Sequence, residues 1–114
     1  MKYLLLICGE KSQAPMTATE GQAVFDAHAR LGEALRAAGK MVHAERLRPE
    51  ADATRVRAKA GHPQVTDGPF AETKEALGGF YLIDCDDRKE AVEWAKKIPL
   101  REGGCVDIRE IWPM

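Results

Sequence analysis

The chain has 114 residues, 45% of them hydrophobic and 31% charged, with a net charge of −1. That length holds one hydrophobic core, and the composition excludes a disordered, collagen-like or membrane-spanning chain. A near-neutral balance supplies no basic field for gripping nucleic acid, so no nucleic-acid or membrane partner is expected.

Met1 to Cys8 imitates the charged and apolar parts of a secretory leader, but Gly9, Glu10 and Lys11 follow at once with no small-residue cleavage site. It reads instead as a strand, apolar on both alternating rows and therefore covered on both faces. The expected location is the cytoplasm. Cys8, Cys85 and Cys105 make an odd count without a CxxC pair, which fits reduced thiols better than a disulfide framework or a zinc site. No metal and no cofactor are expected.

Pro15 and the box Thr17-x-x-Glu20 announce a helix that Gly39 ends. Val24, Ala27, His28, Leu31, Leu35 and Ala38 form its inward stripe. A strand follows over residues 41–48, with Met41, His43, Glu45 and Leu47 on one row and Val42, Ala44, Arg46 and Arg48 on the other. The alternating runs on either side of Gly61-His62-Pro63 predict a hairpin at the sheet margin. Arg55, Arg57 and Lys59 share one of its rows, either as an anion-binding strip or as charges that discourage edge pairing.

Asp67-Gly68-Pro69-Phe70 predicts a turn in which Asp67 bonds onward amides, Gly68 takes a positive φ and Phe70 is carried toward the core. Leu77 to Cys85 is the second strand apolar on both rows, and Gly78-Gly79 at its entry predict a bulge or a close backbone approach. Asp87-x-x-Glu90 opens a second helix with Ala91, Trp94, Ala95 and Ile98 inward and Pro99 as its stop. Cys105 to Trp112 is the last strand, with Val106 and Ile108 on one row and Asp107 and Arg109 on the other.

This order is the ferredoxin-like split βαβ of an α+β domain with an inserted hairpin: four antiparallel strands and both helices on one face. The uncovered face calls for a second copy, so a homodimer with sheets packed face to face is expected. First and last strands are neighbours in this plan, which places Cys8 and Cys105 near one end and Cys85 near the other.

The segment VTDGPFAETKEALGGFYLIDC, with MKYLLLICG before it and AERLRP and EAVEWA around it, resembles the YCII-related family, specifically its DGPF branch. The resemblance covers the whole chain as one domain, residues 1–114, and implies a dimeric α+β barrel. DGPF relatives often accompany extracytoplasmic-function sigma factors, which implies a regulatory setting. The family pairs a His on the first helix, matched by His28, with an Asp at the end of the second. Ile98 stands at that Asp position, so another acid must partner His28.

On the enzyme reading His28 is a general acid or base in a cleft between helix and sheet, with Gly32 leaving room beside it and Asp67 or Glu72 as orienting carboxylate. Such chemistry needs no metal and suits isomerisation, elimination or hydrolysis of a small organic acid or lactone. Phe70, Glu72, Lys74, Tyr81 and His43 are the candidate ligand-binding residues. The bland alternatives are a core histidine, a turn-capping Asp67, a solvated loop at Glu72 and Lys74, a core Tyr81 and a rim ion pair at His43. A non-catalytic dimer is the rival reading, binding a metabolite or a regulatory protein through Arg46, Arg48, Arg55, Arg57 and Lys59.

Overall fold

The strand β1 (Lys2–Glu10) lies at the centre of the sheet, paired antiparallel on one side with β5 (Glu75–Asp84) and on the other with β6 (Cys105–Glu110). In this computed structural model, which describes residues 1–11 and 13–114, β2 (Met41–Arg46) adds to the far edge of β5. The order β2-β5-β1-β6 is the ferredoxin-like one. Two helices connect the strands, α1 (Ala18–Ala37) and α2 (Arg88–Ala95), and among the described residues no helix is long and apolar enough to cross a membrane.

Both helices start where the sequence places their caps. Thr17 Oγ1 accepts from the Glu20 amide and Glu20 Oε1 from the Thr17 amide, each at 3.1 Å, satisfying two donors of the first turn of α1. Asp87 Oδ1 accepts from the Glu90 amide at 2.9 Å and does the same for α2.

Tyr3 and Leu5 of β1 and Tyr81 and Ile83 of β5 turn toward the helices, where Leu31, Leu35, Ala91, Ala95 and Ile98 meet them in one core. Full burial of a side chain such as Leu35 stabilises the fold by about 1.5–3 kcal/mol. The alternate residues Leu4, Leu6, Phe80 and Leu82 remain half-buried on the face that neither helix covers. Trp94 packs at the margin of the core, its indole N–H donating to Glu90 at 3.2 Å.

Four expectations are corrected. The hairpin, β3 (Thr54–Lys59) and β4 (His62–Asp67), is not a margin of the main sheet but a separate two-stranded sheet. The second strand ends at Arg46, one last bond from the Leu47 amide to Gly78 O at 2.9 Å closing its contact with β5 at the bulge. An irregularity at Val42 moves Met41 onto the row of Ala44 and Arg46, and Met41 and Ala44 both pack against the core. Phe70 is half-buried outside that core, because the loop carrying it is tied to the hairpin.

Gly78 and Gly79 divide the two roles expected of them. Between Ile7↔Gly79 and Cys8↔Leu77 the register shifts, leaving Gly78 as the extra residue of a bulge. At Gly79 a Cβ would stand 2.8 Å from the backbone oxygen of Glu45 on β2, whereas at Gly78 the nearest atom would be 3.8 Å away. Gly79→Ala is therefore expected to destabilise the protein by about 1–3 kcal/mol, as overpacking does, with Gly78→Ala well below that. Chemical denaturation of the two variants checks the order; equal losses would place the constraint elsewhere.

Candidate functional site

Tyr81 projects from β5 toward α1, and its hydroxyl meets His28 Nδ1 at 2.6 Å with the two rings stacked 5.8 Å apart. His28 is half-buried and Tyr81 buried. Burial lowers the pKa of His28 below its ordinary 6.5, and the positive charge of Arg46 pushes it the same way. The Tyr81 hydroxyl is raised by burial, with the charge of Arg36 working against the rise. A neutral imidazole and a neutral phenol therefore share a short hydrogen bond beside two guanidinium groups.

The local structure explains this convergence. Arg36 follows His28 by eight residues, a little over two helical turns, so both occupy one face of α1. Gly32 lies between them, and the room expected beside it is taken by the Arg36 guanidinium, which a Cβ at Gly32 would meet at 3.2 Å. Arg46 stands opposite Gly79 on the row that faces the helices, two residues from Ala44, the partner of Tyr81. Among the described residues neither arginine forms an ion pair.

The expected orienting carboxylates are not part of this cluster. Asp67 is exposed at the end of β4, its Oδ1 accepting from the Thr54 hydroxyl at 3.1 Å. Glu72 pairs with Arg55 and, at 3.0 Å, with Arg57. Ile98, where the resemblance expects an acid, is packed in the core at 4% exposure. His43 lies on the opposite face of the sheet, 3.1 Å from Glu45 and tilted against Phe80.

The Asp67–Phe70 segment is held by a different device. Lys11 Nζ donates to Glu50 Oε1 at 2.6 Å, to the Phe70 carbonyl at 2.5 Å and to Thr73 Oγ1 at 2.6 Å. Glu50 Oε1 also accepts from the Phe70 amide at 2.6 Å. The Lys11 and Phe70 bonds hold the Glu50 carboxyl below its ordinary range. Gly68 does not take the positive φ expected of it. Its requirement is spatial, since a Cβ there would stand 2.3 Å from the Glu50 carbonyl oxygen. Phe70 then lies 3.7 Å beneath the Arg55 guanidinium, while Lys74 is exposed and gives its carbonyl to the Lys11 amide. An open groove of about 480 Å³ runs alongside, lined in part by Leu47, Pro49, Glu50, Phe70 and Leu77.

The sequence profile of the YCII-related domain matches residues 1–114. The chain belongs to the YCII-related family. An uncharacterized protein of Rhizobium meliloti (strain 1021) is 51% identical over 61 residues, 54% of this chain and 49% of the relative. This YCII-related chain therefore aligns with about half the length of that curated relative.

Missed from the sequence were the action of Arg46 on His28 and of Arg36 on Tyr81, and the Lys11–Glu50 lock. The eight-residue spacing from His28 to Arg36 was available as a signal; the approach of Arg46 depends on the pairing of β2 with β5. Proton NMR titration is expected to give His28 a pKa below 6.5, and Arg46→Gln to raise it by removing a positive charge. An unchanged value in the variant would remove Arg46 from the cluster.

Glu50 supplies a second pH effect. Its pKa is lowered on folding, so the ionised carboxylate stabilises the folded state above its ordinary 4.5, and this contribution is lost as pH falls through the lower folded value. Lys11→Met is expected to lower Tm at neutral pH and to flatten this part of the acid limb. Thermal melts of both proteins across that range check it, and parallel acid limbs would contradict the assignment.

Proposed function

We propose that this YCII-related protein, a member of the DGPF branch, binds a small organic acid at the His28–Tyr81 pair and moves a proton on it. The observation that carries the reading is a 2.6 Å imidazole–phenol bond in the field of two arginines that have no acidic partner among the described residues. A carboxylate ligand would supply the missing negative charge, and a planar guanidinium suits it by donating two parallel N–H hydrogen bonds to the two carboxylate oxygens.

The roles follow from the protonation states. With His28 in the tautomer whose Nδ1–H donates to the Tyr81 oxygen, Nε2 keeps its lone pair and is the base. The Tyr81 O–H is then free to donate to the ligand. Arg36 and Arg46 hold the carboxylate and stabilise negative charge as it develops next to the carbonyl. Abstraction at that carbon followed by return of the proton is an isomerisation; loss of a neighbouring group is an elimination. Neither step needs a redox partner.

The protein-docking alternative is weakened by the state of its basic strip. Arg55 and Arg57 both engage Glu72, and Arg48 pairs with Asp52 at 3.0 Å. The proposed functional unit is a homodimer joined through the sheet face of Leu4, Leu6, Phe80 and Leu82, whose half-burial on an uncovered face supports it.

A thermal-shift screen of small carboxylates against their methyl esters tests the site, since a ligand that binds only the folded state raises Tm. The acids, not the esters, are expected to raise it, and Arg46→Gln to abolish the effect. Exchange of the bound acid's α-proton into deuterated water, followed by NMR, is expected in the natural protein and absent in His28→Gln. Binding without exchange would reduce the reading to a carboxylate sensor; no acid-specific shift would remove it. Light scattering at twice the chain mass checks the dimer.

A further inference from the structure

On the sheet face away from the helices, β1 and β6 bring Cys8 directly opposite Cys105. One step along β6, on the same row, stands Asp107. The two Sγ atoms and an Asp107 carboxylate oxygen all lie within 4.8 Å of one another. A fourth donor comes from β5, where Glu75 Oε2 accepts from Cys105 Sγ at 3.3 Å. We propose that Cys8, Cys105, Asp107 and Glu75 form a binding site for a borderline divalent cation of the Zn²⁺ type.

The donor set determines the kind of cation. Two sulfurs with two carboxylate oxygens make a four-donor shell of the sort zinc takes, whereas calcium and magnesium call for oxygen alone. Zinc holds sulfur and oxygen ligands at about 2.0–2.3 Å, so tetrahedral donors stand roughly 3.3–3.8 Å apart. The Cys105–Glu75 separation already falls there, and among Cys8, Cys105 and Asp107 a side-chain adjustment of about 1 Å closes the remaining gap. All four side chains project from paired strands, which hold their Cα positions.

The charge of the cluster points to the same occupant. Among the described residues neither Glu75 nor Asp107 has an ion-pair partner. A cation that displaces both thiol protons to solvent would relieve this concentration of negative groups. Glu75 also borders an open concavity of about 550 Å³ shared with Glu10 and Lys74, which gives a cation a route in.

Cobalt titration of the reduced, metal-stripped full-length protein tests the site. Thiolate-to-cobalt absorption is expected to saturate at one equivalent per chain and to bleach on adding Zn²⁺. Cys8→Ser and Cys105→Ser are each expected to abolish the band, with Cys85→Ser leaving it intact. The exposed Asp107→Asn, which spares both thiols, is expected to weaken binding at least ~10-fold, as loss of a supporting oxygen does. Zn²⁺ should raise Tm in the natural protein and not in Cys105→Ser. Absence of the band in the natural protein would overturn the proposal, as would its persistence in both serine variants. So would a protein whose Cys8 and Cys105 join as a disulfide on air exposure and whose reduced form takes up no cation.

Discussion

The register of β1 between β5 and β6 is the constraint on which the rest of the structure depends. Side chains alternate along a strand, so a one-residue slip would exchange the two faces of the sheet and turn Tyr3 and Leu5 out of the core. The same register places Cys8 against Cys105 and Leu5 against Tyr81. Its irregularity falls at Gly78, the extra residue of the bulge. Lys11, just past the end of β1, extends this order by fastening Glu50, Phe70 and Thr73 at one point.

The two clusters on opposite faces of the sheet differ in charge. On the helix side Arg36 and Arg46 act on a neutral imidazole and a neutral phenol. On the other side two carboxylates surround two protonated thiols. The apolar residues of β1 separate the two clusters.

Most of the fold was legible because it is written in local patterns. The doubly apolar runs from Tyr3 and from Phe80 announced the central strands, and Thr17 with Glu20 announced a helix start that the structure reproduces atom for atom. The neighbouring positions of Cys8 and Cys105 followed from the strand order alone. What escaped depends on contacts between distant segments. Nothing around Lys11 identifies Glu50 as its partner 39 positions later, and the irregularity at Val42 exists only once β2 lies against β5. The four donors around Cys105 come from three strands, which is why no ligand spacing could reveal them.

The Asp67–Phe70 tetrapeptide illustrates how a distinctive motif and a chemical site separate. Asp67 and Phe70 invite assignment to a ligand because both residue types are common in pockets. Here three of the four have a structural partner within the hairpin and its lock: Asp67 with Thr54, Gly68 with the backbone of Glu50 and Ala53, and Phe70 with Arg55 and Lys11. A segment held at so many points determines where β5 begins, because Glu75 follows directly after Thr73 and Lys74 have been tied to Lys11. The position of Tyr81 along β5, and with it the bond to His28, is thus set in part from the loop. The motif thus anchors the loop that leads into the strand bearing Tyr81, with Asp67 and Phe70 engaged in holding that loop.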